Sequence, residues 1–189
     1  MLNIANITGA ILAGGKSSRM GENKALLHYS GKPFIQHIAE TLKPACSHVI
    51  VISDRHEYAF LDLPMYADII HDAGPLGGIH SALTHATTSM IFVLSCDTPF
   101  VTTALVQEIL SQAHPDKITI AKDDANSHPL IGVYPKNILA ELDSHLSNGN
   151  RSVYSFLHWH TDRLTTLDLN RFADQLRNIN TKTDYDLLR

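Results

Sequence analysis

Short apolar runs alternate with amphipathic stretches along most of this chain. Residues 8–13 form an apolar run that stops at paired glycines, which predicts a buried strand. Residues 48–53 (HVIVIS) and 90–95 (MIFVLS) are β-branched and apolar, as central strands are. Further strands are expected at 66–70, 117–121, 130–134 and 164–169. Between them, helical periodicity covers 33–43, 78–86, 102–113, 137–146 and 152–158, with a short helix near 184–188. Pro33 suits a first helical turn, Pro44 follows the end of that helix, and Thr102 suits an N-cap. Strand alternating with helix implies an α/β fold with a mostly parallel central sheet and helices on both faces, a three-layer α/β/α sandwich of Rossmann-like type. Ligands of such sheets bind beyond the carboxyl ends of the strands. The segments following those ends are 14–24, 68–78 and Asp97.

Composition narrows the picture without changing it. The 189 residues fit one domain, and 44% hydrophobic content supports a real core. A net charge of −4 argues against a nonspecific nucleic-acid binder. Two cysteines, Cys46 and Cys96, make no disulfide framework and suit a reducing compartment. The N-terminal segment lacks a basic start and an uninterrupted apolar core, and no run approaches the roughly 20 apolar residues that cross a bilayer. A cytoplasmic, monomeric protein with no membrane and no nucleic-acid partner is expected.

The chemistry concentrates after the first strand, in Leu12-Ala13-Gly14-Gly15-Lys16-Ser17-Ser18-Arg19-Met20-Gly21 followed by Lys24. Glycines let backbone N–H groups approach a ligand, and successive N–H groups make an anion-binding concavity. Three cations in the same stretch point to a polyanion such as a nucleoside triphosphate. The GxxxxGK[ST] pattern fails because its first glycine would fall at Ala10, and GxGxxG is absent. Asp72-Ala73-Gly74-Pro75-Leu76-Gly77-Gly78 reads equally as a tight turn or as a loop lying against a base or sugar. Asp97, in Ser95-Cys96-Asp97-Thr98-Pro99, could be a turn residue. Beside a triphosphate loop it is favoured as a ligand for Mg²⁺, a hard cation that takes oxygen ligands. The pair His158 and His160 lacks ligand partners at zinc spacing, Cys46 and Cys96 read as inert thiols, and Asp123-Asp124 reads as a solvated turn.

LAGGKSSRMGENK is close to the LAGGxxxRMGxDK signature of nucleotidyltransferases that activate sugars and cofactors. GKPFIQHIAETL, DAGPLGGIHSAL and LSCDTPF extend the resemblance over nearly the whole chain. His128-Pro129, Asn150-Arg151-Ser152-Val153 and Asn178-Ile179-Asn180-Thr181 narrow it to the molybdenum cofactor guanylyltransferases, the MobA type. The resemblance implies transfer of GMP from GTP to Mo-molybdopterin, with Mg²⁺ or Mn²⁺ on Asp97. It implies nucleotide contacts from Leu12, Ala13, Gly14, Gly15, Lys16, Arg19, Lys24, Asp68, Gly77 and Asp97. Among these Lys24, Arg19 and Asp97 would be catalytic. His128, Arg151, Asn178 and Asn180 become candidates for the pterin side. Passing contacts with molybdenum-insertion proteins and molybdoenzyme chaperones are implied as well. Asn23 stands where the signature commonly has Asp, and Ile52 where relatives can carry a polar residue.

The chemistry implied needs no general base. A terminal phosphate monoester has its second pKa at about 6 and is mostly dianionic at neutral pH. The barrier is the approach of one anion to another, which cations and positioning relieve. Two other readings stand beside this one. One is a cytidylyltransferase acting on molybdopterin or on a sugar or polyol phosphate. The other is a non-catalytic GTP-binding module that delivers cofactor. The base itself is not dictated by any motif.

Overall fold

A computed structural model describes residues 7–14 and 23–188. Among these residues, nine strands and six α-helices run in chain order. Strand β1 (Ile7–Leu12) is followed by a two-residue ribbon, β2 (His28–Tyr29) and β3 (Lys32–Pro33), and by α1 (Phe34–Leu42). Then come β4 (His48–Ile52), β5 (Met65–Tyr66), α2 (Gly74–His85), β6 (Met90–Ser95) and α3 (Thr103–Gln112). The second half contains β7 (Ile118–Lys122), β8 (Ser127–Pro135), α4 (Leu139–Ser147), α5 (Val153–Trp159), β9 (Leu164–Asp168) and α6 (Lys182–Asp186).

Seven strands form one sheet in the order β5-β4-β1-β6-β8-β7-β9, with only β8 reversed. The reversal follows from loop length. Only residues 123–126 separate β7 from β8, too few for a crossover, so the two strands pair as a hairpin. Side chains of β1 alternate between the sheet faces. Ile7 and Ile11 join a core with α1 and α3, whereas Ala10 and Leu12 join a second core with α2, α4 and α5. Each fully buried Ile or Leu in these layers contributes about 1.5–3 kcal/mol. The three-layer expectation is therefore met. Among the described residues, no helix is long and apolar enough to cross a membrane.

Two local expectations are revised. The apolar run 66–70 pairs only at Met65–Tyr66, because the chain then leaves the sheet edge and exposes Ile69. Helix α2 begins at Gly74 rather than at 78, with Pro75 in its first turn, where a missing N–H costs nothing. Thr102 caps α3 and Ser152 caps α5 through their side-chain oxygens.

Candidate active site

The carboxyl ends of β1, β4 and β6 lie side by side, with Leu12 in register with both Ile52 and Ser95. The pairing continues past β6, since Cys96 donates its N–H to the Leu12 carbonyl at 3.0 Å. Beyond these ends opens a cavity of about 510 Å³. Leu12 and Gly14 form its floor, Asp54, Arg55 and Asp68 one wall, and Gly74, Pro75 and Gly78 of α2 another. A side chain at Gly14 would come within 3.1 Å of the Asp68 carboxylate, so glycine there keeps the wall open. Burial, with Asp54 nearby, holds the Asp68 carboxyl above its usual range, while His71 partly offsets the shift. One Asp68 oxygen, Oδ1, is buried without a hydrogen-bond partner. Gly77 is buried inside α2 against Ala73 and does not line the cavity. Gly15, Lys16 and Arg19 lie outside the described residues.

A second cavity, of about 630 Å³, adjoins the first, and Pro75 and Leu130 line both. It gathers His128, Arg151, Asn178 and Asn180, all four residues expected on the acceptor side. It also gathers Asp123, Tyr154 and Asp184, which the sequence reading missed. Asp123 is no free solvated carboxylate: it accepts from the Ala125 and Asn126 N–H groups at 2.8 and 2.6 Å and lies 3.0 Å from His128 Nε2. The His128 contact and the backbone bonds hold its carboxyl below the usual range. As a carboxylate only accepts, Nε2 of His128 carries the proton and Nδ1 is the ring nitrogen left over. The antiparallel register of β7 and β8, with Ala121 opposite His128, creates this pair.

Arg151 reaches across the boundary and donates to the Asp72 carbonyl at 2.7 Å. That carbonyl belongs to the turn leading into α2, where Asp72 and Gly74 take φ of 55° and 62°. The Arg151 guanidinium thus braces a left-handed segment of the first cavity from the rim of the second. Tyr154, 61% exposed, donates its hydroxyl to the Ser127 carbonyl at 3.0 Å and leaves a ring at the cavity mouth.

The Lys24 side chain and the Asp97 backbone both reach the C-terminal segment that edges the second cavity. Ser95 lines the first cavity and Thr98 the second, with Asp97 between them in sequence. The Asp97 carbonyl accepts the Ile179 N–H at 2.8 Å, and Lys24 Nζ donates to Asn180 Oδ1 at 3.1 Å. Their partners are consecutive residues, so the Lys24 side chain and the Asp97 backbone are tied to one short strip of chain. Ile179 anchors that strip by burying its side chain with Leu27 and Phe34. Asp184 orders it further, accepting from the Asn180 and Thr181 N–H groups. Oδ1 of Asp97 is buried without a partner. An orphaned carboxylate oxygen suits a divalent cation, and no group of three or more metal-ligating side chains occurs among the described residues. Among the described residues, Asp97 is the carboxylate that a cation here would take.

Other candidate chemistries are not supported by this geometry. Burial pushes both thiols, Cys46 and Cys96, up to about 12, and the neighbouring Asp97 adds to the shift at Cys96. His160 packs on Phe156 at 4.5 Å between ring centroids, among aromatic rings rather than metal ligands.

Comparison with known proteins agrees with the geometry. Residues 9–164 match the family model described as the MobA-like NTP transferase domain. The chain is 41% identical over 140 residues to a protein of Flavobacterium johnsoniae named "Probable molybdenum cofactor guanylyltransferase", covering 73% of each sequence. It is 33% identical over 186 residues to the molybdenum cofactor guanylyltransferase of Yersinia pestis (strain Pestoides F), covering 96% of this chain and 94% of that one. In three dimensions it superposes on molybdopterin-guanine dinucleotide biosynthesis protein A from Archaeoglobus fulgidus with a TM-score of 0.78 at 22% identity, over 96% of each chain, a likeness of fold. With a strand-end cavity and a family match over most of its length, the chain belongs to the MobA-like NTP transferases.

Proposed function

We infer that this protein is a molybdenum cofactor guanylyltransferase, which transfers GMP from GTP to the terminal phosphate of Mo-molybdopterin and releases pyrophosphate. The names of its relatives and its family support the activity. The observation that carries the site assignment is the tie of the Lys24 side chain and the Asp97 backbone to the consecutive residues Asn180 and Ile179, beside two adjoining cavities.

In this reading the cavity floored by Leu12 and Gly14 takes the nucleoside, with the Ala13 backbone beside it. Asp68 accepts hydrogen bonds there. Ribose hydroxyls and the N1–H and N2–H₂ edge of guanine are donors, and a carboxylate is an acceptor only. Gly15, Lys16 and Arg19 belong with Lys24 on the phosphates, and Gly77 serves α2 packing rather than the ligand. The second cavity takes the acceptor. The exposed Tyr154 ring offers a stacking face for a flat heterocycle, and His128, Arg151 and Asn178 offer polar contacts.

The acceptor phosphate oxygen attacks the α-phosphorus of GTP. A new P–O bond forms as the α–β bridging P–O bond breaks, and the electron pair leaves with pyrophosphate. Lys24 offsets the negative charge that gathers between the two anions. Asn180 holds Lys24 in place, and the adjoining cavities bring the reacting groups into line. Asp97 would hold Mg²⁺, or Mn²⁺ in its place, and the bound ion would supply charge neutralisation on the phosphates. The acceptor arrives as a dianion, so no residue need remove a proton.

Incubation with GTP, Mg²⁺ and Mo-molybdopterin tests the reading by chromatography of the dinucleotide and measurement of pyrophosphate. Product with CTP and none with GTP would reassign the base. Binding of GTP with no pyrophosphate from any triphosphate would make the protein a delivery module.

A further inference from the structure

Tyr58 lies in the 3-10 turn His56–Leu61 that follows β4, and its ring is almost wholly buried in the core beside Ala13 and Ala25. Packing accounts for the ring but leaves the hydroxyl to be explained. That hydroxyl donates to Asn23 Oδ1 at 2.9 Å and sits 3.5 Å from the Ala13 carbonyl. The same Asn23 oxygen accepts the Ala25 N–H at 3.2 Å and caps the turn Lys24–Leu26. The orientation of the amide is forced, because the Ala25 N–H can only donate. Burial pushes the Tyr58 hydroxyl up from its ordinary range, so it stays a donor. The Ala13 carbonyl receives Ser53 Oγ as well, at 3.3 Å. One buried hydroxyl therefore adjoins both the end of β1 and the turn that carries Lys24.

We propose that Tyr58 is a positioning residue for the nucleotide, its hydroxyl holding Asn23 so that Lys24 stands at a set place relative to Ala13 and Asp97. The proposal rests on the nucleotidyltransferase reading and extends it to a residue that touches neither substrate. Asn23 gains a meaning here. The signature's usual Asp could accept both hydrogen bonds, and Asn accepts both through Oδ1 while leaving Nδ2 buried without a partner. The departure from the signature therefore keeps the linkage that this geometry needs.

Calorimetric titration with each of the four nucleoside triphosphates in Mg²⁺ tests this, using whichever binds wild type most tightly. Tyr58→Phe keeps the ring and removes only the hydroxyl. Its expected effect is a loss of about threefold to tenfold in triphosphate affinity, the range of one neutral hydrogen bond. KM for the triphosphate should rise while KM for the acceptor holds. Asn23→Ala should weaken binding similarly, and the double variant should be no weaker than the poorer single one. Adding Tyr58→Phe to Asn23→Asp should weaken binding again, a comparison that survives if Asn23→Ala fails to fold. Wild-type affinity in Tyr58→Phe, or a double variant whose loss is the product of the two single losses, would overturn the proposal. A purely structural role would lower the unfolding temperature and leave affinity of the folded protein intact, which also overturns it. If wild type prefers a triphosphate other than GTP, the guanine assignment fails while the test of Tyr58 still runs.

Discussion

The two cavities share Pro75 and Leu130 yet are built on opposite plans. In the first cavity and at the end of β6, buried carboxylate oxygens are left unsatisfied: Oδ1 of Asp68 and Oδ1 of Asp97. In the second cavity three of the polar side chains already have partners. Asp123 holds His128, Arg151 holds the Asp72 carbonyl, and Tyr154 holds the Ser127 carbonyl. An unpaired buried acceptor costs about 1–3 kcal/mol, a cost that a ligand donor or cation relieves on binding. A paired group contributes instead by holding a shape. Nucleotide-side residues should therefore act directly on the ligand, whereas acceptor-side residues should act through one another.

Substitutions of Lys24 and Asp97 break the comparison most severely, because the proposed reading places them at the reacting phosphates. Lys24→Ala and Asp97→Ala should each lower kcat by about 10²–10³-fold, the scale of losing one group that stabilises transition-state charge. Thermal unfolding should change little, and steady-state pyrophosphate release set beside a melting curve checks both expectations. Asp68→Asn comes next. It replaces part of an acceptor with a donor and should raise KM for GTP about 10–100-fold with little change in KM for the acceptor. Equal effects on the two KM values would erase the distinction between the cavities.

Arg151→Lys sharpens the comparison from the other side. A lysine loses the planar fork that braces Asp72. Both KM values should rise by a few fold, since one hydrogen bond is worth about 1 kcal/mol. A rise confined to the acceptor would mean that the brace carries nothing into the nucleotide cavity. The smallest expected effect is on acid stability. Asp123 and Asp184 have carboxyls held below the usual range, so their contribution is present above the unfolded pKa of about 4 and fades as pH falls through the lower folded value. Melting curves of wild type and Asp123→Asn should therefore stay a constant distance apart above about pH 5 and converge in stronger acid.

Residues near one another in sequence could be read with little error. Met90–Ser95 is the strand its six apolar-rich residues predict, and Thr102 caps the helix it precedes. Lys24 and Asp97 stand out as candidates because each follows a strand through a short motif. Asp123 was misjudged because its surroundings depend on which residue of β8 lies opposite β7. Tyr58 gave no signal at all, for a tyrosine in an amphipathic stretch looks the same whether its hydroxyl meets water or Asn23.

Alternating apolar runs and helical stretches were enough, without coordinates, to set the layers, the prevailing strand direction and the edge where ligands gather. Periodicity decides which face of each element is buried, and that is local information. Folding alone decided that Lys24 would meet Asn180 across 156 positions and that Arg151 would brace Asp72 across 79. Those contacts depend on strand order, register and the path of the last twenty or so residues, which no local pattern encodes because their partners are chosen only when distant surfaces pack together.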